Sequence, residues 1–146
     1  GISVNRTWLS DISNEFTLVK FLKGMHKGWI YCRDNEVACV DFVIPEGQDS
    51  SFKALLRYQM REINKVIWPA PMGIGVYLEE DQLKTQATAL TSGVINRTIP
   101  FKDHTTDVFA RQANLALVEA GLDVEGLYFQ QPQYQVTLAF CLNTNG

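Results

Sequence analysis

The sequence predicts an α+β fold that is mainly helical, in a single domain spanning residues 1–146. Its 146 residues, 46% hydrophobic and 20% charged, suit one globular domain with a real core. Apolar residues recur three and four positions apart in several segments, which is typical of amphipathic helices. Strict apolar alternation is strongest near the end, at Tyr134, Val136, Leu138 and Phe140. The pattern therefore predicts helices first and one short strand last.

The first long helix is predicted over residues 11–30. Its apolar positions are Ile12, Phe16, Val19, Leu22, Met25 and Trp29. Gly24 and Gly28 each weaken the second half of this helix by about 1 kcal/mol relative to Ala. Either another element packs closely against the two glycines, or the helix merely tolerates them. His26 lies between them and is expected at the surface or at its boundary.

Residues 29–44 are open to two interpretations. Their β-branched and aromatic residues favour a hairpin, although the connecting residues lack the Asn-Gly or Asp-Gly pair of a two-residue turn. Val37, Val40 and Ile44 instead keep helical spacing. Periodicity by itself leans slightly toward strand. Cys32 and Cys39 would lie about 10 Å apart along a continuous helix, whereas a hairpin would allow a disulfide between them.

A second long helix is predicted from Asp49 or Ser50 to Trp68. Asp49 and Ser50 are both residues that cap helices, and Pro69 disfavours helical geometry in the residue before it. The apolar positions of this helix are Phe52, Leu55, Leu56, Met60, Ile63, Val66 and Ile67. A structured loop rich in Pro and Gly is expected to follow.

Two further helices are predicted over residues 79–95 and 105–121. Glu79, Glu80 and Asp81 place negative charge in the first turn of the earlier helix, which suits the helix dipole. Its stripe is Leu83, Ala87, Leu90 and Val94, and Gly93 stands where a C-terminal cap is expected. The later helix has the stripe Phe109, Ala113, Ala116, Leu117 and Ala120, and it ends at Gly121.

Charge and motif content exclude several function classes. The net charge is −3 and no Lys/Arg cluster occurs, so nucleic acid is not expected as a partner. No segment has the length and apolarity of a membrane span. Gly73 and Gly75 match only part of a dinucleotide fingerprint, and a tight turn explains them better. His26 and His104 have no catalytic partner at a known spacing. No enzyme activity, cofactor or metal site is therefore expected.

Several blocks of the sequence together resemble a known family. They are WIYCRDNEVACVD at residues 29–41, YQMREINKVIWPAP at 58–71, GIGV at 73–76 and LKTQA at 83–87. In this order they resemble the C-terminal half of ABC-importer substrate-binding proteins of the sulfonate, nitrate and thiamine-precursor group. The cysteine-rich motif of the eukaryotic relatives that make a thiamine precursor is not matched.

The resemblance carries its own expectations. It implies a non-catalytic solute-binding domain, with the helices of half a type 2 periplasmic-binding-protein lobe. It also implies two helical pieces over residues 29–44, with a break near Asp34 and Asn35 that keeps Cys32 and Cys39 unbridged. The alternative is a stand-alone domain repurposed for protein–protein interaction or regulation.

Site, partner and compartment follow from the same resemblance. A complete family member has two lobes with the ligand between them, so no ligand contact carries over directly. Trp68 and Tyr77, near the Pro/Gly loop, are the candidate ligand-binding residues, with a core anchor the favoured role of Trp68. A sulfonate or a pyrimidine-like solute is expected only with the missing lobe, and the helices here are expected to form a homo-oligomer. The compartment is periplasm or cell envelope for a full binding protein, and cytoplasm for a stand-alone product.

Overall fold

The fold consists of helices joined by loops. The computed structural model describes residues 2–130, and no strand occurs in that range. The helices are α1 (Arg6–Leu9), α2 (Ile12–Asp34), α3 (Glu36–Val43), α4 (Ser50–Ile67), α5 (Glu79–Thr91) and α6 (Val108–Val118), with a 3₁₀ turn at Phe101–Asp103. The prediction of a mainly helical chain is confirmed. The predicted strand at Tyr134–Phe140 lies outside the described residues.

The ends of α4 are set by the residues that the sequence singled out. The Asp49 carboxylate accepts a hydrogen bond from the backbone N–H of Phe52 at 2.9 Å, which satisfies one of the unpaired donors of the first turn. At the other end α4 stops at Ile67, and Trp68 takes an extended conformation because Pro69 follows it. Both boundaries are as predicted.

The centre of the molecule is the contact between α2 and α6. The buried residues of α2 are Leu18, Leu22, His26 and Ile30; those of α6 are Ala110, Ala113, Asn114 and Leu117. The α2 set differs from the predicted stripe, because Ile12 and Phe16 are 68% and 66% exposed. Two faces of α2 carry apolar residues, and contact with the small side chains of α6 selects the face that contains His26.

The segment 29–44 is helical, and the hairpin interpretation was wrong. α2 ends at Asp34, Asn35 takes a non-helical conformation with φ −134° and ψ 54°, and α3 begins at Glu36. The predicted break is therefore confirmed. The prediction of unbridged cysteines was wrong, because Cys32 and Cys39 form a disulfide with their Cα atoms 5.0 Å apart. The break at Asn35 interrupts the helix between the two cysteines, so the separation expected along a continuous helix does not apply.

Two loops pair beside the α2–α6 contact. The backbone N–H of Ala70 donates to the carbonyl of Glu125 at 2.8 Å, and that of Ile74 donates to the carbonyl of Val124 at 2.9 Å. We call residues 68–76 and 122–127 the paired loops. Through Trp68, Ile74 and Val124 they join Ile30 and Leu117 in one buried cluster. The paired loops are thus part of the core.

Helix α5 is peripheral. None of its residues is buried, although the sequence predicts an apolar stripe on it. A hydrogen bond from the Gln86 amide to the Ile99 carbonyl, at 2.9 Å, links α5 to the segment that follows it. The fold therefore places its packed interior on one side of the chain and α5 on the outside.

Candidate functional site

Trp68 lies in the core. Its side chain is 1% exposed and packs in the cluster of the paired loops. A Cβ added to Gly126 would lie 2.7 Å from the indole ring, so the backbone of the second loop lies directly against the ring. Trp68 therefore anchors the end of α4 in the core, which is the role that the sequence favoured.

The guanidinium of Arg33 covers the indole of Trp68. Its central carbon lies 4.6 Å from the ring centroid, within the range of a cation–π interaction. The same group donates to both carboxylate oxygens of Asp34, at 2.7 and 3.1 Å, and to the backbone carbonyl of Asp123 at 2.9 Å. Arg33 thus fastens the end of α2 to the second of the paired loops, and it uses most of its donors to do so.

A buried histidine–asparagine pair joins the helices to the paired loops. The Nδ1 of His26 lies 2.8 Å from the Oδ1 of Asn114, and the Nδ2 of Asn114 donates to the carbonyl of Ile74 at 2.9 Å. His26 is 1% exposed and Asn114 is 5% exposed. The expectation of a surface or boundary His26 was wrong. Three elements distant in the sequence meet at this one amide group.

Burial governs the protonation of His26. Desolvation lowers the pKa of the imidazole below its ordinary value of 6.5, and the hydrogen bond to Asn114 opposes this shift in part. Because burial disfavours the charged ring, the pair consists of a neutral imidazole and a neutral amide. Such a pair is suited to holding three segments in register.

The glycines of the first paired loop have a packing role. A Cβ on Gly73 would lie 2.6 Å from the Asn114 Nδ2, and a Cβ on Gly75 would lie 2.8 Å from the His26 Nε2. These close approaches supply the reason for glycine, and a tight turn is confirmed as the better interpretation of Gly73 and Gly75. Gly24 and Gly28 of α2, by contrast, have nothing among the described residues within 4 Å of an added Cβ. Within residues 2–130, therefore, no element packs closely against these two glycines.

Tyr77 lies apart from Trp68. Its ring packs edge-on against Phe101, with centroids 5.5 Å apart, and Phe101 packs in the same manner against His104 at 5.7 Å. The imidazole of His104 also makes a hydrogen bond at 3.1 Å with the carbonyl of Pro100. The structure therefore places the two candidate ligand-binding residues in different clusters. Of the two, the half-buried Tyr77 has the more accessible side chain.

A shallow groove of about 520 Å³ runs along the first half of α4. Its lining residues are Ser50, Lys53, Ala54, Arg57, Tyr58 and Arg61. Lys53 forms an ion pair with Asp41, and Arg61 forms one with Glu36 at 2.8 Å. Two cationic side chains of the groove therefore form ion pairs with carboxylates of α3, and these ion pairs link α4 to α3.

Residues 2–130 contain neither a cluster of metal-ligating side chains nor a helix suited to a membrane. No group of three or more His, Cys, Asp or Glu side chains in that range is placed to hold a metal ion. Among the helices of the same range, none combines the length and the apolarity that a bilayer crossing requires.

The residues that sequence reasoning missed are His26, Asn114 and Arg33. His26 and Asn114 are separated by 88 positions, so no local spacing links them. A weak signal was present, since Asn114 falls next to Ala113 on the predicted apolar stripe of α6.

Comparisons with protein-family models, with curated proteins and with solved structures found no match.

Proposed function

We propose that this chain is a non-catalytic solute-binding domain, the C-terminal half of a binding protein of an ABC importer. The observation that carries the proposal is the number of large apolar side chains exposed on several helices. Phe42 of α3 is 80% exposed and Val66 of α4 is 88% exposed. Ile12 and Phe16 of α2 add to them. Soluble monomers seldom expose more than a few hundred Å² of contiguous apolar surface.

A half-lobe accounts for this distribution of burial. In the resembled proteins the corresponding helices cover a sheet that the other half of the chain supplies. The apolar face of α2 that contains Phe16 would then have a partner, while the face that contains Leu22 is already buried against α6. Without the other half, a second copy of this chain is the simplest cover, and the proposal includes a homo-oligomer.

The histidine contacts favour a non-catalytic role. The His26 imidazole is buried against Asn114, and the His104 imidazole is bonded to a backbone carbonyl. Each ring therefore serves a structural contact. Tyr77 is the residue of this chain that we place nearest a solute, which would be a sulfonate or a pyrimidine-like molecule bound with the help of the missing lobe.

The test begins with the reading frame that encodes these residues and with its neighbours. Coding sequence for the sheet-forming half, next to genes for a permease and an ATPase, supports the transport role. The protein of the whole reading frame is then titrated calorimetrically with taurine, nitrate and an aminopyrimidine. Saturable binding of one of them supports the proposal, and binding of none overturns it. An isolated gene without the other half supports the repurposed interaction domain instead.

The oligomer is tested on the 146-residue chain itself. Size exclusion coupled to light scattering at micromolar concentration should give a mass above that of one chain. Phe16→Ser should lower that mass, whereas Lys20→Ser, on the same helix, should not change it. A clean monomer of the unaltered chain would remove the oligomer from the proposal.

A further inference from the structure

Helix α3 has little stability of its own. It has eight residues, and its N-cap Asn35 makes no side-chain capping hydrogen bond. Isolated helices of this length are not stable in water. Of its apolar residues, Val37, Phe42 and Val43 are exposed while Cys39 and Val40 are buried. Its position must therefore come from contacts with α2 and α4.

The noncovalent contacts of α3 supply only part of that support. The ion pairs Asp41–Lys53 and Glu36–Arg61 link it to α4, but three of the four side chains are at least one-third exposed. Pairs this accessible to solvent contribute little to stability. Burial of Val40 adds an apolar anchor. Toward α2, the rings of Tyr31 and Phe42 lie 6.4 Å apart between centroids, and both side chains are exposed. The strongest link is the covalent bond from Cys39 to Cys32 at the end of α2.

We propose that the Cys32–Cys39 disulfide is the clamp that holds α3 on α2, and that this chain therefore works in an oxidising compartment. Disulfides persist in the periplasm and outside cells, whereas cytosolic thiols are kept reduced. In a reducing compartment α3 would lose its covalent tether and detach from the α2–α6 core. This inference is independent of the proposed solute-binding role.

The Cys32–Cys39 bond forms by thiol–disulfide exchange with a second molecule that carries a disulfide, which is called the donor here. Cys32 is half-buried and Cys39 is buried, so Cys32 is the thiol that a donor reaches first. The Cys32 thiolate attacks one donor sulfur, which breaks the donor disulfide and releases one donor thiolate. The Cys39 thiolate then attacks the Cys32 sulfur of the mixed disulfide and releases the second donor thiolate. Two electrons pass from the cysteine pair to the donor, and the two cysteine protons leave to solvent or to the donor thiolates.

The first experiment counts free thiols in the chain as cells make it. The chain is expressed in the bacterial cytosol and, with an export signal, in the periplasm, and each sample is alkylated in denaturant without reductant. We expect one alkylated cysteine, Cys141, in the periplasmic chain and three in the cytosolic chain. Three alkylated cysteines in the periplasmic chain would overturn the proposal, and so would one in the cytosolic chain.

The second experiment uses amide hydrogen exchange to measure how far the disulfide protects α3 from opening. Reduction should speed exchange across residues 36–43 by roughly 10- to 100-fold, the size expected when a short disulfide-closed loop is opened. Residues 108–118 of α6 serve as the internal reference and should keep their protection. Cys32→Ser should reproduce the reduced pattern without reductant, and Cys141→Ser should keep the oxidised one. Equal exchange of α3 before and after reduction would contradict the clamp.

Discussion

The loop from Trp68 to Val76 and the helix α5 that follows it differ both in regular structure and in burial. The loop has no regular structure, yet it contains buried Trp68 and Ile74 and receives the Asn114 amide. Helix α5 is regular over Glu79–Thr91, yet none of its residues is buried. Regular hydrogen bonding and membership of the core are therefore separate properties in this molecule. Stability should be concentrated in the loop, since burial of apolar side chains contributes most of it.

The largest expected difference is between Trp68→Ala in the loop and Leu83→Ala in α5. Removing the buried indole should lower the free energy of unfolding by about 3–5 kcal/mol. Leu83 is 57% exposed, so its truncation should change that free energy by less than about 0.5 kcal/mol. Urea titration followed by circular dichroism measures both. A loss below about 1 kcal/mol for Trp68→Ala would mean that the loop does not anchor the core.

Two glycines with positive φ give the next comparison. Gly73 in the loop and Gly93 after α5 have φ values of 91° and 73°. Adding a Cβ at either position costs about 1–2 kcal/mol in backbone strain. At Gly73 the new Cβ would also lie 2.6 Å from the Asn114 Nδ2, while nothing among the described residues lies within 4 Å at Gly93. Gly73→Ala should therefore lower the free energy of unfolding by about 1–3 kcal/mol more than Gly93→Ala, and equal losses in urea titrations would refute the close contact.

A third comparison uses two amides that each donate to a backbone carbonyl at 2.9 Å. Asn114 does so in the interior, toward Ile74, and Gln86 does so at the surface, toward Ile99. Asn114→Ala should cost about 1–3 kcal/mol, because two buried polar groups lose their partner. Gln86→Ala should cost less than about 1 kcal/mol, because water replaces the amide. Thermal unfolding of both variants checks this order, and a Gln86 effect as large as the Asn114 effect would contradict it.

The smallest expected effect is a pH dependence of the free energy of unfolding that arises from His26. Its folded-state pKa is lowered, chiefly by desolvation, so the unfolded chain binds more protons once the pH falls below about 6.5. The free energy of unfolding should therefore decrease as the pH is lowered through that range. Urea midpoints measured at several pH values test this slope. An NMR titration that finds the His26 ring protonating at or above 6.5 in the native protein would rule the mechanism out.

Local chemistry made both ends of α4 predictable, whereas the buried face of α2 could not be predicted from it. Pro69 stops α4 and Asp49 starts it through effects that reach only a few residues. The exposed Phe16 and the buried Leu18 lie on different faces of α2, and both faces carry apolar residues. The decision between them depends on α6, which begins 74 residues after α2 ends. Periodicity within one segment contains no information about that partner.

The same reason explains the errors at the site and at the cysteines. A break near Asn35 was predictable from the resemblance, but the position of α3 after it depends on contacts with other helices, including the Cys32–Cys39 disulfide to α2 and the ion pairs to α4. His26 was assigned to the surface or its boundary because Asn114, which satisfies it, is remote in the sequence. Trp68 was correctly favoured as an anchor because its role depends on the adjacent proline. The half-lobe architecture and the ligand role of Tyr77 remain predictions.

The amide of Asn114 also determines the tautomer of His26. Its nitrogen donates to the Ile74 carbonyl, so its oxygen faces the imidazole and accepts a hydrogen bond. The neutral ring must then carry its proton on Nδ1, which is the minor tautomer of free histidine in water. The two hydrogen bonds run in one direction, from the ring through the amide to the carbonyl, and bonds aligned in this way polarise and strengthen one another. The fold thus determines the tautomer of the His26 side chain as well as its position. The unprotonated Nε2 lies toward Gly75.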